Sequence, residues 1–167
     1  MFIKYTNYSD DVHYFKLSKE AKKLGLKNPF TGDVNLACKM DKSNSQIIIT
    51  CDLSVDTNLI CDRCGEKFNK ILSTEFMVTY LFSKASVSEN SLDVFYLSPD
   101  KNIIDLSDLV KEYCMLILPM KVLCKEDCKG LCPHCGTNLN YSQCSCGEDK
   151  INSVWEPLIK LKSKLNT

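Results

Sequence analysis

The 167-residue sequence lacks the features that mark exported and membrane-spanning proteins. Its first residues, MFIKYTNYSDDVHYF, contain no apolar core after a positive start and no small-residue cleavage site, so we do not expect them to act as a secretory signal. No apolar run approaches the roughly 18 residues that a membrane span needs. We therefore expect a cytoplasmic protein in a reducing environment.

The sequence also lacks an excess of positive charge. Its 21 basic side chains balance 21 acidic ones, which gives a formal net charge of zero. Proteins that bind nucleic acid over a broad surface usually carry a basic excess or a basic stripe. The charge balance therefore argues against extended binding of free RNA or DNA.

Signatures of enzymes are missing as well. The sequence contains no nucleophile elbow, no HExxH zinc motif and no P-loop. A catalytic zinc site usually uses histidine ligands and keeps one position open. The two histidines, His13 and His134, are expected to be surface or packing residues, and we predict a protein without catalytic activity.

What the sequence does contain, first, is a β-rich front. An apolar share of 44% suits a globular core. Alternating apolar and polar residues, rich in Val, Ile and Thr, predict strands. The predicted strands cover residues 12–17, 33–40, 46–53, 54–60, 94–97 and, as one or two strands, 68–82. A DKSNS turn between residues 40 and 46 predicts an antiparallel hairpin.

A helix is predicted after the strands, in DLSDLVKEYCMLILP. Asp105 is the expected N-cap, Asp108 follows three residues later as in a capping box, and Pro119 ends the helix. A second, short helix is predicted after Glu156 and Pro157. The sequence therefore predicts an α+β fold: a mostly antiparallel β-sheet or partly open barrel with one main helix, a cysteine-rich zinc-knuckle segment and a short C-terminal helix.

Three parts of the chain are expected on this basis. Residues 1–118 form a β-rich domain that ends in the helix, residues 119–147 form a cysteine-rich zinc-binding segment, and residues 148–167 form a tail with the short helix.

Cysteine is the most informative residue type, with 11 copies. In a reducing compartment, clustered cysteines are more often metal ligands than disulfides. Eight occur as close pairs, namely Cys61 and Cys64, Cys124 and Cys128, Cys132 and Cys135, and Cys144 and Cys146. The other three, Cys38, Cys51 and Cys114, are expected to be free thiols that behave as small buried apolar side chains.

A closed structural zinc site needs four ligands, and a CxxC turn supplies two of them. The stretch CPHCGTNLNYSQCSC is self-contained, and it predicts one site formed by Cys132, Cys135, Cys144 and Cys146. Gly136 follows its CxxC turn, where a positive φ is often needed. The second predicted site joins Cys61 and Cys64 to Cys124 and Cys128. A competing assignment groups Cys124, Cys128, Cys132 and Cys135.

Two other kinds of cysteine chemistry remain open at this point. A redox-active CxxC usually opens a helix after a strand, whereas Cys61 and Cys64 lie between strand-like runs. Iron–sulfur clusters also use cysteine ligands. We prefer two structural Zn²⁺ sites because CxxC followed by glycine and a closing CxC are familiar zinc shapes.

Charge within the cysteine-rich segment is balanced, because Lys125 and Lys129 are offset by Glu126 and Asp127. The only basic cluster is at the C-terminus, where Lys160, Lys162 and Lys164 are weak candidates for RNA or protein contact. The alternative interpretation of that cluster is a solvated helix face.

The stretch LILPMKVLCKEDCKGLCPHCGTNLN resembles the signature of the YceD family, the large ribosomal RNA subunit accumulation proteins. CDRCGEKF, about 60 residues earlier, is similar to that family's other motif. The strand-rich front, the helix and the ending EPLIKLKSKL match the family's layout. The resemblance implies a role in large-subunit ribosomal RNA accumulation and ribosome biogenesis, and it implies no catalytic activity.

These observations predict a non-enzymatic, zinc-stabilised factor for ribosome assembly. We expect it to bind a ribosomal protein or a large-subunit assembly intermediate as an adaptor, with limited or indirect contact to rRNA and none to membrane. The alternatives are a zinc-ribbon protein that binds nucleic acid or acts in transcription, and a thiol redox protein.

Overall fold

The computed structural model describes residues 1–83 and 93–146. Their strands and α-helix are β1 (Phe2–Ile3), β2 (Val12–Glu20), β3 (Phe30–Lys42), β4 (Gln46–Ile60), β5 (Lys67–Leu81), β6 (Val94–Tyr96), β7 (Ile104–Asp105) and α1 (Ser107–Leu116), and two short 3-10 helices cover Tyr5–Asn7 and Ala21–Leu24. The α+β class is confirmed. The predicted C-terminal helix and the lysine cluster Lys160, Lys162 and Lys164 lie outside the described residues. Within those residues, no helix is long and apolar enough to cross a membrane.

One five-stranded sheet dominates the structure, in the order β2-β3-β4-β5-β6. The first four strands form consecutive antiparallel hairpins, and β6 runs parallel to β5. Strands β1 and β7 form a separate antiparallel pair. In the described parts of the chain, β2 and β6 are unclosed edges, so the sheet is open rather than a closed barrel.

The hairpin of β4 and β5 is the longest element. Each strand has 15 residues, and they pair without a break from Gln46 opposite Leu81 to Ile60 opposite Lys67. The two runs predicted at 46–53 and 54–60 are therefore one strand, because the inward alternation continues through Leu53 and Val55 without a turn residue. This length carries the hairpin connection, and the cysteines in it, away from the centre of the sheet.

One face of the sheet is the core. Its inward residues include Leu36, Met40, Ile47, Ile49, Leu53, Val55 and Val78, all with 2% or less of their surface exposed. Helix α1 covers this face through Val110 and Cys114, and the ring of Tyr113 stacks on Phe76 with centroids 4.6 Å apart. As expected, Cys114 is a free, buried thiol, and burial raises its pKa to about 11.

The start of α1 differs from the predicted capping box. Asp105 lies in β7, and its Oδ1 accepts a hydrogen bond from the backbone N–H of Ser107 at 2.8 Å. The N-cap position is Leu106, which has no capping side chain, and Asp108 pairs instead with Lys111 at 2.9 Å. The helix ends at Leu116, before Pro119. The helix was therefore predictable, but its start lies further along the chain than the sequence predicts.

The expectation that Cys38 and Cys51 are free thiols is wrong. They are register partners in β3 and β4, with Cα atoms 4.1 Å apart, and they form a disulfide in the core. The reason is geometric: directly opposite residues of an antiparallel pair have adjacent Cβ atoms on the same face of the sheet. The predicted DKSNS turn does not reveal this pairing, because Cys38 lies three positions before it and Cys51 lies six positions after it.

Candidate metal centres

The first centre forms at the end of the β4–β5 hairpin. Cys61 and Cys64 lie in the connection between the strands, and Cys124 and Cys128 follow α1. The Sγ atoms of Cys61 and Cys128 are 3.8 Å apart, those of Cys64 and Cys124 are 3.7 Å apart, and all four lie within 4.8 Å of one another. A tetrahedral ion with metal–sulfur bonds of about 2.3 Å has sulfur–sulfur edges of roughly 3.8 Å. The spacing therefore fits a single ion.

Polar contacts fasten the later segment to the hairpin. The backbone N–H of Asp62 donates to the Val122 carbonyl at 2.8 Å, and the Val122 N–H donates to Asp62 Oδ2 at 2.6 Å. Arg63 Nη1 donates to the Cys128 carbonyl at 2.7 Å. Phe68 and Leu123 pack against the buried cysteines. The four ligand positions are thus held by the protein's own contacts.

The second centre is local in sequence. An antiparallel bridge between Leu131 and Asn138 and a hydrogen bond from the Leu139 N–H to the Gly130 carbonyl (2.9 Å) fold the chain into a small hairpin. The Sγ atoms that it gathers within 4.8 Å of one another belong to Cys132, Cys135, Cys144 and Cys146. These four thiols can also hold one metal ion.

The two CxxC turns have the same backbone arrangement. In each turn the N–H of the following glycine donates to the carbonyl of the first cysteine, and the N–H of that cysteine donates to a carbonyl just after the glycine. These bonds join Gly65 to Cys61 (2.9 Å), Cys61 to Glu66 (2.9 Å), Gly136 to Cys132 (2.9 Å) and Cys132 to Thr137 (2.8 Å). The φ angles are +70° at Gly65 and +72° at Gly136, which confirms the positive φ expected at Gly136.

Electrostatics in the first centre favour a bound cation. Burial raises the pKa of Cys61, but backbone hydrogen bonds, the largest from Cys124, outweigh burial and lower it to about 6. Burial and hydrogen bonds with neighbouring thiols raise the pKa of Cys124 to about 12. Neighbouring thiols that share hydrogen bonds in this way lose their protons at different pH values. Thiolates confined together also repel one another. A divalent cation removes that repulsion.

In the second centre, too, the pKa of one thiol is lowered and that of another is raised, but this centre is more open to solvent. A side-chain hydrogen bond with Thr137 lowers the pKa of Cys135 to about 6, and a hydrogen bond with Cys135 raises that of Cys146 to about 12. Cys135 and Cys146 are exposed, whereas three of the four thiols in the first centre are buried. We therefore expect metal to exchange faster at the second centre.

The structure thus brings the eight paired cysteines together in the preferred sets. The competing set of Cys124, Cys128, Cys132 and Cys135 does not form, because the first two of these face the hairpin connection. The CxxC at Cys61 lies between two strands and not at a helix start, which is unlike a redox-active dithiol. His134 lies in the second CxxC turn and outside both sets of four.

The polar residues around the centres were not recognised from the sequence. Asn140 Nδ2 donates to Cys128 Sγ at 3.3 Å, and Tyr141 Oη donates to the Glu66 carboxylate at 2.7 and 2.9 Å. From the sequence, the stretch TNLN predicts only a turn. Its two asparagines between cysteine pairs were the available signal, since side-chain amides can donate to thiolates.

Fold and centres together define an α+β protein with two four-thiol centres that can each hold a metal ion. A long β-hairpin and a cysteine-rich segment share the first centre, and the segment alone forms the second. The chain belongs to the YceD family: the family model described as "Large ribosomal RNA subunit accumulation protein YceD" matches residues 49–162. That range contains β5, α1 and every cysteine of both centres.

The identity to individual relatives is low. The chain is 30% identical over 73 residues to "Large ribosomal RNA subunit accumulation protein YCED homolog 1, chloroplastic" of Arabidopsis thaliana. This alignment covers 44% of this chain and 23% of the plant protein. It is 21% identical over 128 residues to an uncharacterised protein of Mycobacterium tuberculosis, covering 77% of this chain and 61% of that one. The chain thus spans less than two thirds of these relatives. No solved structure matches it.

Proposed function

We propose that this protein is a non-enzymatic, zinc-stabilised factor that supports large-subunit ribosomal RNA accumulation and ribosome assembly in the cytoplasm. It acts as an adaptor that binds a ribosomal protein or an assembly intermediate. The observation that carries the proposal is that the family match covers the sequence of both four-thiol centres. The family's description concerns ribosomal RNA accumulation and not a reaction.

Zinc is the proposed ion at both centres. Each centre offers four thiols and, among the described residues, no additional ligand within the cluster, which is the donor set of a closed structural site. Such sites contribute apparent binding free energies of about 10–16 kcal/mol to folding in zinc-finger peptides. At the first centre, the ion cross-links the hairpin connection to the segment after α1.

Elemental analysis tests this assignment. The purified protein should contain two zinc ions per chain; iron, or no metal in folded protein, would contradict the assignment.

The open face of the sheet is the proposed contact surface for the partner. We define it by two rows of register partners: Lys16, Ala37, Asp52 and Glu75, and Ser18, Asn35, Ser54 and Ser73. These residues line a depression of about 800 Å³. Leu36 and Leu53, which also line it, have buried side chains, so the depression lies on the side of the sheet away from the core.

Charge on the open face favours a basic protein segment. Asp52 and Glu75 are exposed and directly opposite each other, and in the described chain neither carboxylate has an ion pair or hydrogen bond. Like charges in this position are destabilising, and a cationic group between them would relieve the repulsion. Proteins that bind RNA use Lys and Arg to neutralise phosphates. A ribosomal protein before its incorporation therefore offers such a segment, whereas RNA phosphates would be repelled.

The experiment that tests this function is sedimentation of the tagged protein from growing cells, with crosslinking of each fraction. We expect it in fractions with immature large-subunit particles or in a light complex crosslinked to a ribosomal protein. A free species with no ribosomal crosslink would contradict the proposal. Tight, salt-dependent binding to naked RNA or DNA duplex would instead support the nucleic-acid-binding alternative.

A further inference from the structure

One side chain forms a hydrogen bond between the loop of the second centre and a thiol of the first. Asn140 lies in the chain between Cys135 and Cys144 of the second centre, yet its Nδ2 donates to the Sγ of Cys128 in the first centre at 3.3 Å. Nδ2 also donates to Asn138 Oδ1 at 2.8 Å, and the Asn140 Oδ1 accepts from the Lys129 N–H at 2.9 Å. Every polar group of this amide therefore has a partner.

The orientation of the amide follows from its surroundings. The backbone N–H of Lys129 can only donate, so the group that faces it must be the amide oxygen. The NH₂ group is then directed at Cys128, which needs a donor when it is a thiolate. Asn140 is consequently a hydrogen-bond donor to a ligand atom of the first centre, although it belongs to the loop of the second.

Two further contacts hold this loop against the first centre. Tyr141 Oη donates to the carboxylate of Glu66, which follows the CxxC turn of the first centre. The Leu139 N–H donates to the Gly130 carbonyl, between the ligands Cys128 and Cys132. Asn140 and Tyr141 thus contact the first centre and its CxxC turn at consecutive positions, and Leu139 fixes them to the segment that joins the two centres.

We propose that Asn140 is a positioning residue that couples the two metal centres, so that metal in the second centre tightens metal binding in the first. The proposal rests on metal binding at both centres and not on the ribosomal role. A metal held by Cys135 and Cys144 closes the loop between them at both ends, which reduces the entropy lost when Asn140 is ordered against Cys128. The coupling must be reciprocal, so metal in the first centre tightens the second by the same factor.

The size of the effect can be anticipated from other metal sites. Loss of a hydrogen-bond partner to a metal ligand typically reduces metal affinity by about 10–100-fold. We expect Asn140→Ala to weaken the first centre by about tenfold. Asn140→Asp should be at least as damaging, because it keeps an oxygen toward Lys129 but places a carboxylate oxygen, which cannot donate when ionised, next to the thiolate.

The experiment measures metal release site by site in the full chain. Zinc-loaded protein is exposed to a competing chelator, and alkylation of each cysteine is followed by peptide mass spectrometry. Gln143→Ala is the matched control, since Gln143 is an exposed amide of the same loop without a hydrogen bond in the described residues. Tyr141→Phe removes only the bond to Glu66 and separates docking of the loop from donation to sulfur.

A double-mutant cycle distinguishes coupling from local damage. Cys135→Ser removes the second centre, and we expect first-centre affinity to fall by about tenfold. Adding Asn140→Ala to Cys135→Ser should then cost little more, because the loop is already released. Additive effects, or no effect of Asn140→Ala on the alkylation of Cys61 and Cys128, would overturn the coupling. Wild-type protein that binds no metal would instead refute the proposed zinc centres.

Discussion

The Sγ atoms of Cys61 and Cys128 lie 3.8 Å apart although 67 positions separate the two residues in the chain. One belongs to the connection of the longest hairpin, and the other follows α1. A metal ion at this point closes a long loop, and long loops gain the most from closure. The first centre therefore connects the sheet to the cysteine-rich segment, while the second centre organises that segment alone.

This difference predicts unequal effects of ligand loss. Cys132→Ser should lose one zinc and release the chain up to Cys146, while the sheet stays folded. Its cost to the sheet should not exceed about 1.4 kcal/mol, the equivalent of a tenfold weaker first centre. Cys61→Ser should lose the other zinc and lower the unfolding free energy of the whole protein further. Zinc content and denaturant unfolding of both variants provide the measurement.

Equal destabilisation by the two substitutions would show that the centres do not have these separate roles. Ser145→Ala is a suitable control, because Ser145 is exposed and lies between two ligands without being one. It should retain two zinc ions and wild-type stability.

The core disulfide predicts a definite thiol count. Unfolded protein, alkylated without reductant, should carry labels on nine cysteines, because Cys38 and Cys51 are joined and nine cysteines are free. Prior reduction should raise the count to 11. Eleven labels without reduction would show that Cys38 and Cys51 remain thiols in the cell from which the protein is purified.

Much of this architecture could be predicted from the sequence, and the disulfide shows where prediction stopped. Apolar alternation located the long strands, and the predicted turn between residues 40 and 46 located the hairpin of β3 and β4. The sequence pattern did not determine the pairing register, although register decides that Cys38 lies opposite Cys51. Strands β1 and β7, with two residues each, are too short to show any alternation. They form because distant parts of the chain meet.

The centres, like the fold, could be predicted only in part from the sequence. Close spacing identified the eight clustered cysteines, because each pair is local in the chain, but it left the grouping of the pairs open. Asn140 and Tyr141 were missed because their partners, Cys128 and Glu66, are set by tertiary structure and not by spacing. A polar side chain near a cysteine pair has many possible partners, and only the folded chain selects one.

The stacked pair of Phe76 and Tyr113 predicts a large core effect. Phe76 has 3% of its surface exposed and holds α1 on the sheet. Phe76→Ala should lower the unfolding free energy by about 3–5 kcal/mol. Met77→Ala is the control, since its side chain is 57% exposed on the other face of the same strand, and it should change stability by roughly 0.5 kcal/mol or less. Similar losses for both would mean that α1 does not pack on this face.

Cys114 predicts a loss of stability in alkali. Burial raises the pKa of its thiol from 9.0 to about 11, so the folded state retains the proton that the unfolded state releases earlier. This stabilisation is complete below pH 9 and disappears as the pH rises to about 11. Cys114→Ala should therefore flatten the pH dependence of unfolding in this interval, measured at constant zinc. An unchanged slope would show that the thiol titrates normally.

The open face, as the proposed contact surface, predicts which substitutions weaken binding of the partner. Asp52→Lys combined with Glu75→Lys replaces the opposed carboxylates by cations, so a basic segment would be repelled where it was attracted. We expect crosslinks to a ribosomal protein to fall about tenfold or more while zinc content stays at two, because neither residue contacts a centre. Glu112→Lys combined with Glu126→Lys makes the same change in net charge at exposed positions away from this face, and it should leave crosslinking intact.

Equal losses in both variants would mean that only the overall charge matters. Wild-type crosslinking in the first variant would place the contact on another surface, since a cationic segment cannot bind equally well to two carboxylates and to two lysines.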